Sequence, residues 1–259
     1  MDAQTYPQSL VTWVERWEPD FREGIAGAAD EQIRELEGTL GVELPAVYRV
    51  FLAHMGHSHN GLNAYGDDNL RMDVLALQAF ARDPELCPDP REFLCVGAPR
   101  PGVEGLFFDM RAGPAANPPL VRLAAGGARP TVIAEHPSLP AMLFGFAFLL
   151  KALPCFEHQI QLRSPGTVQP RFPGCPPGTW LPRFRWIADR LGFHAVPETG
   201  PWWACQLRSD ATVMMYEAPG WAPDVRVGAR DRRTAALIAE ILMDNLDLRI
   251  YSAPAGSAP

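Results

Sequence analysis

Of 23 basic residues in this chain, only Lys151 is a lysine. It sits in an apolar stretch with no glycine-rich turn before it, and no G-x-x-x-x-G-K-[ST] run occurs, which excludes a P-loop phosphate site. H-E-x-x-H, a Rossmann glycine run and the protein-kinase signatures are missing as well. Cysteine is sparse: Cys87, Cys95, Cys155, Cys175 and Cys205 are scattered, odd in number and never paired as C-x-x-C. That pattern excludes a disulfide framework and a zinc knuckle. The most apolar run, 139–150, is shorter than the roughly 20 residues a bilayer requires. No basic-then-apolar segment opens the chain, so the expected compartment is the cytoplasm and no membrane partner is expected.

What is present is a 259-residue chain, 47% hydrophobic, with 27 prolines. That is enough apolar material for a sizeable core, cut by many loops. The net charge of −7 is divided unevenly. Residues 1–155 carry 20 acidic and 12 basic side chains, net −8, and residues 156–259 carry 10 and 11, net +1. An acidic first half repels phosphates, so nucleic acid is not expected as a partner. It suits a basic protein, whose approach complementary charge would speed.

The most ordered pattern runs from Leu36 to Gly61. Ile33, Leu36 and Leu40 recur at helical spacing. Gly41 follows, where a left-handed residue ends helices, and Pro45 begins a second helix. Val47, Phe51 and Leu52 form the apolar stripe of that helix, with Tyr48 beside it, and Asn60-Gly61 marks a turn.

An acidic helix, then L-G-x-x-L-P-x-x-Y-R-x-F-L, then a loop closing on Asn-Gly resembles the start of the SUKH superfamily, which includes cell-wall-assembly regulators and bacterial toxin-immunity proteins. Leu36, Leu40, Gly41, Leu44, Pro45, Tyr48, Arg49, Phe51, Leu52, Asn60 and Gly61 carry the resemblance. It implies an antiparallel sheet after the helix pair and a closing helix, over residues 25–155. The motif residues are packing and turn positions, so they imply no chemistry.

The remaining elements follow from pattern. An amphipathic helix is expected within 1–24, over 6–18, with Leu10, Val11, Val14 and Trp17 on one face. A strand at 70–74 and a short helix at 75–81 come next. Strands at 93–96, 106–110, 120–123 and 131–134, separated by Gly/Pro clusters, predict a meander. A helix at 138–153 starts at Ser138 as N-cap. Residues 156–181 are expected to be a Pro/Gly-rich linker. Beyond it, 182–251 predicts a small α-β-β-β-α domain: a helix through Phe184, Ile187, Ala188 and Leu191, a hairpin 202–207/212–217, a strand at 224–227 and a last helix capped by Asp231. The tail 252–259 is expected to be disordered. The predicted class is α+β, a SUKH-like domain followed by a smaller C-terminal α/β domain.

His54, His57 and His59 crowd one loop, and Asp67 or Asp68 could complete a zinc shell. A solvated polar loop accounts for the same residues, and neither metal nor cofactor is expected. Gly56-His57-Ser58-His59-Asn60 nearly matches a nucleophile elbow but lacks the last glycine. Asp67-Asp68-Asn69 resembles part of a calcium loop but lacks its glycine and distant glutamate. Trp202, Trp203 and Trp221 could anchor an interface or fill the small second core.

The resemblance implies a non-catalytic immunity protein that occludes a toxin, and the acidic half points to a basic toxin such as a nuclease. Asp67, Asp68, Asp73, Asp89 and Glu92 are the expected contact residues. The alternatives are a metal-dependent enzyme on the histidine loop and an intracellular scaffold.

Overall fold

The computed structural model describes residues 4–83, 85–113, 115–124, 131–164, 180–196, 200–218 and 222–251. The class is α+β, and the chain divides into two compact units, Met1–Leu150 and Lys151–Pro259.

The first unit opens with α1 (Tyr6–Val14), a two-residue strand β1 (Ile25–Ala26), α2 (Asp30–Leu40) and α3 (Ala46–Met55). β2 (Ser58–His59) pairs antiparallel with β1. β3 (Leu70–Arg71) and α4 (Val74–Ala81) lead into β4 (Phe93–Pro99), β5 (Gly105–Asp109), β6 (Leu120–Ala124) and β7 (Thr131–His136). These strands form one sheet in the order β3-β4-β5-β6-β7, and α5 (Leu139–Ala147) follows. The predicted meander and closing helix are therefore present. Ser138 Oγ accepts the Ala141 amide at 3.2 Å, as an N-cap does. Phe148–Ala152 continue as one π-helical turn.

α1 ends at Val14, earlier than its pattern predicts, and Trp13 rather than Trp17 is the buried tryptophan. Trp13 stacks on Phe148 with ring centroids 6.2 Å apart, and the Tyr6 hydroxyl donates to the Val47 carbonyl at 3.0 Å. The N-terminal helix is thus part of the first core and not a separate segment.

The helix corner forms as its residues dictate. Gly41 takes φ +67°, a conformation a Cβ would strain, and its amide bonds the Glu37 carbonyl. Pro45 is the N-cap of α3, and Leu44, Val47, Tyr48, Phe51 and Leu52 are buried. Both faces of β5 are covered. Phe108 meets Tyr48 of α3 edge-on at 5.3 Å, and Phe107 meets Phe80 of α4 at 6.3 Å. This explains why β4 and β5 read as continuous apolar runs without alternation.

The second unit contains β8 (His158–Arg163), α6 (Trp180–Arg190), β9 (His194–Ala195), β10 (Trp203–Leu207), β11 (Ala211–Tyr216), β12 (Asp224–Ala229), α7 (Arg232–Leu246) and β13 (Arg249–Ile250). The sheet order is β13-β8-β12-β11-β10-β9, and every pairing is antiparallel, so this unit too is α+β. Leu162, Val213, Met215, Val225 and Val227 pack with Phe184 and Ile187 of α6 and with Ile238 and Leu242 of α7. Asp231 Oδ1 accepts the Thr234 amide at 2.8 Å, capping α7.

The expected linker 156–181 needs correction. Its beginning is β8, whose Ile160 and Leu162 alternate with polar residues and sit between β12 and β13. Its end, Trp180 and Leu181, belongs to α6. Residues 165–179, Trp221 and the tail 252–259 lie outside the described residues. No helix among the described residues is long and apolar enough to cross a membrane.

Candidate functional site

The turn at Asn60-Gly61 opens a loop that ends at β3. Asn60 and Gly61 take φ 48° and 73°. The Asn60 amide side chain donates to the Phe21 carbonyl at 2.9 Å and to Glu18 Oε1 at 3.3 Å, which pins the entry. Asn63 shapes the interior. Its Nδ2 donates to the Leu70 carbonyl at 2.6 Å and to Asp67 Oδ1 at 2.9 Å, and its Oδ1 accepts the Tyr65 amide at 3.1 Å. Asn69 Nδ2 closes the turn on the Tyr65 carbonyl at 3.0 Å. Asp67 and Asp68 are exposed at its tip.

A polar cluster meets this loop at Tyr65. The Tyr65 hydroxyl donates to Glu135 Oε1 at 2.8 Å and lies 3.1 Å from His136 Nε2. Arg122 of β6 pairs with Glu104 at 2.8 Å, approaches Glu135 at 3.7 Å and faces the Tyr65 ring at 5.7 Å. Phe146 of α5 closes the apolar side, edge-on to Tyr65 at 5.4 Å and to His136 at 5.6 Å. Burial pushes the Glu135 carboxyl above its ordinary range, with Arg122 and the Tyr65 hydroxyl opposing. Burial, assisted by Arg122, lowers the His136 imidazole to about 3, so it is neutral. None of these six residues formed a sequence motif. The one local signal was Glu135-His136, a polar pair ending a strand whose middle, Val132-Ile133-Ala134, is apolar.

The three histidines expected on one loop are spread over three elements, His54 in the last turn of α3, His57 in the connection and His59 in β2, and they have separate partners. His54 Nδ1 lies 3.0 Å from the Val50 carbonyl, and His57 Nε2 lies 2.9 Å from Gln32 Oε1, which also accepts the Ala29 amide. His59 is buried, with Nε2 3.4 Å from Asp67 Oδ1, and its burial lowers its pKa against the pull of Asp67 and Asp73. Among the described residues, no three His, Cys, Asp or Glu side chains are placed to hold a metal ion.

The expected contact residues divide by role. Asp68, Asp89 and Glu92 are exposed. Asp67 is exposed but bonded to His59 and Asn63. Asp73 is committed to structure: its side chain caps α4 through the Ala76 amide at 2.9 Å and pairs with Arg71. Asp89 Oδ1 accepts the Arg91 amide in a turn. In the second unit Trp202 is half-buried, whereas Trp203 is 5% exposed and packs on Tyr216 at 4.7 Å, which is a core position and not an interface anchor.

No protein-family model, curated protein or solved structure matches this chain. The chemistry the arrangement offers is therefore read from its geometry: exposed carboxylates, on a loop with fixed ends, that can attract cationic groups.

Proposed function

We propose that the chain is a SUKH-like immunity protein of the cytoplasm, without turnover of its own, that binds and occludes a basic bacterial toxin such as a nuclease. The observation that carries the reading is the loop 60–70. It displays Asp67 and Asp68 to solvent while side-chain bonds hold it to Phe21, Leu70 and Glu135. A loop held in one shape binds without the ordering cost a mobile loop incurs. The net charge of −8 over residues 1–155 supports a cationic partner. The burial of Leu44, Tyr48, Phe51 and Leu52 is what the resemblance implies for a packing motif. The test is co-expression with a toxin encoded in the adjacent reading frame, followed by titration calorimetry of the purified pair. Protection of the host and stoichiometric binding are expected; growth arrest with no binding rejects the reading.

A further inference from the structure

We infer that Tyr65 is a latch: its hydroxyl, bonded to Glu135 and His136, fixes the acidic loop 66–69 to the five-stranded sheet. That this fixed loop serves docking rests on the proposed function; the latch itself does not.

The loop runs between two anchored points, the left-handed turn at Asn60-Gly61 and the pairing of Leu70 with Pro99 in β4. Most bonds inside it are local. The Gly66 amide bonds the Asn63 carbonyl at 3.1 Å, and the Asn69 and Leu70 amides both bond the Gly66 carbonyl at 3.0 Å. Such bonds shape a turn without attaching it. Attachment comes from the Arg100 amide on the Asn69 carbonyl at 2.9 Å, from the long His59–Asp67 contact, and from Tyr65. The first acts near β4, which neighbours the edge strand β3, whereas Glu135 and His136 lie on β7, the opposite edge strand. The loop is thus strapped to both sides of the sheet, and a hydroxyl makes the tie at β7.

The proton count is consistent. With Glu135 ionised, the one phenolic proton goes to Oε1, and a neutral His136 donates its Nε2 proton to the phenolic oxygen. The tie is strong because its acceptor is a carboxylate out of water. It is also separable from packing. A phenylalanine keeps the ring against Phe146 and Arg122 and removes only the hydroxyl.

Hydrogen exchange followed by mass spectrometry on the full chain tests this, with the amides of Gly66, Asn69, Leu70 and Arg100 as reporters. In Tyr65→Phe these should exchange about tenfold faster, while amides of β5 and β6 keep their wild-type rates. Glu135→Gln keeps an acceptor oxygen for the hydroxyl, so its loop should stay within about threefold of wild type. Unchanged loop exchange in Tyr65→Phe overturns the latch. Equal acceleration through β5 and β6 also overturns it, because Tyr65 would then be a general stabiliser. So does loop acceleration in Glu135→Gln as large as in Tyr65→Phe. No partner is used, so failure of the latch and failure of the binding reading are read separately.

Discussion

Arg49 Nη1 lies 2.6 Å from Glu37 Oε2, across the corner between α2 and α3. The other oxygen of that carboxylate accepts the Leu44 amide at 3.1 Å. One side chain thus joins the end of the first helix, the connecting turn and the first turn of the second. The ion pair is partly exposed, Arg49 by 36%, so solvent screens much of its attraction. The half-buried Leu44 amide is the costlier loss, because removing its acceptor leaves a donor unpaired. Glu37→Ala should lower the unfolding free energy by about 1–2 kcal/mol. Glu37→Gln, which keeps an acceptor, should cost less than about 1 kcal/mol. Urea denaturation of the three proteins checks the order.

Phe51 is fully buried and lies parallel to Tyr48, with ring centroids 6.1 Å apart. Phe51→Ala removes a ring from a packed interior that relaxes only in part. A loss of about 3–5 kcal/mol is expected, against about 1 kcal/mol for Phe51→Leu, which keeps most of the apolar volume. Thermal and urea unfolding measure both.

What could be read along the chain depended on whether the signal was local. Gly41 permits a left-handed turn that other residues resist, and Pro45 fixes its own φ, so the corner was visible without the fold. Ser138 and Asp231 act three residues ahead, and both caps are found where expected. β8 was legible in principle, since Ile160 and Leu162 alternate with polar residues, but the proline-rich run after it suggested a linker throughout. The cluster of Tyr65, Glu104, Arg122, Glu135 and His136 had no local pattern beyond the adjacent polar pair Glu135-His136. Tyr65 and Glu135 are 70 positions apart and meet only because the loop reaches the far edge of the sheet. Trp203 shows the converse limit: its residue type fitted an interface and a core equally, and only its packing on Tyr216 decides for the core.

The Glu135–His136 pair predicts opposing pH effects on stability. Folding lowers His136 from 6.5 to about 3. Below about pH 6.5 the unfolded chain takes up a proton that the folded chain refuses, so stability falls as pH drops from there toward 3. Glu135 is raised on folding. The folded chain takes up its proton at a higher pH than the unfolded one, so this group adds stability as pH falls through its raised value toward the ordinary carboxyl range. His136→Gln should therefore flatten the acid loss, and Glu135→Gln should steepen it. Urea midpoints at pH 7, 6 and 5 distinguish them; shifts of the same sign in both variants would contradict the assignment.

Asp67 and Asp68 stand exposed at the loop tip, but they differ in commitment. Asp67 is bonded to Asn63 and lies 3.4 Å from His59, so reversing it disturbs the loop as well as its charge. Asp68 is exposed and makes no such side-chain bond among the described residues, so its reversal reports charge more cleanly. Exposed charges act mainly on encounter and are screened over roughly 10 Å at moderate salt. Asp68→Arg should therefore slow association with a basic toxin and reduce the dependence of that rate on salt, with little change in dissociation. Adding Asp67→Arg should deepen the slowing and also speed dissociation, because the loop that presents the charges is then loosened. Stopped-flow association at two salt concentrations, with dissociation measured by competition, separates the two effects. An association rate indifferent to salt and to both reversals would remove the acidic loop from the interface while leaving binding elsewhere on the protein open to mapping.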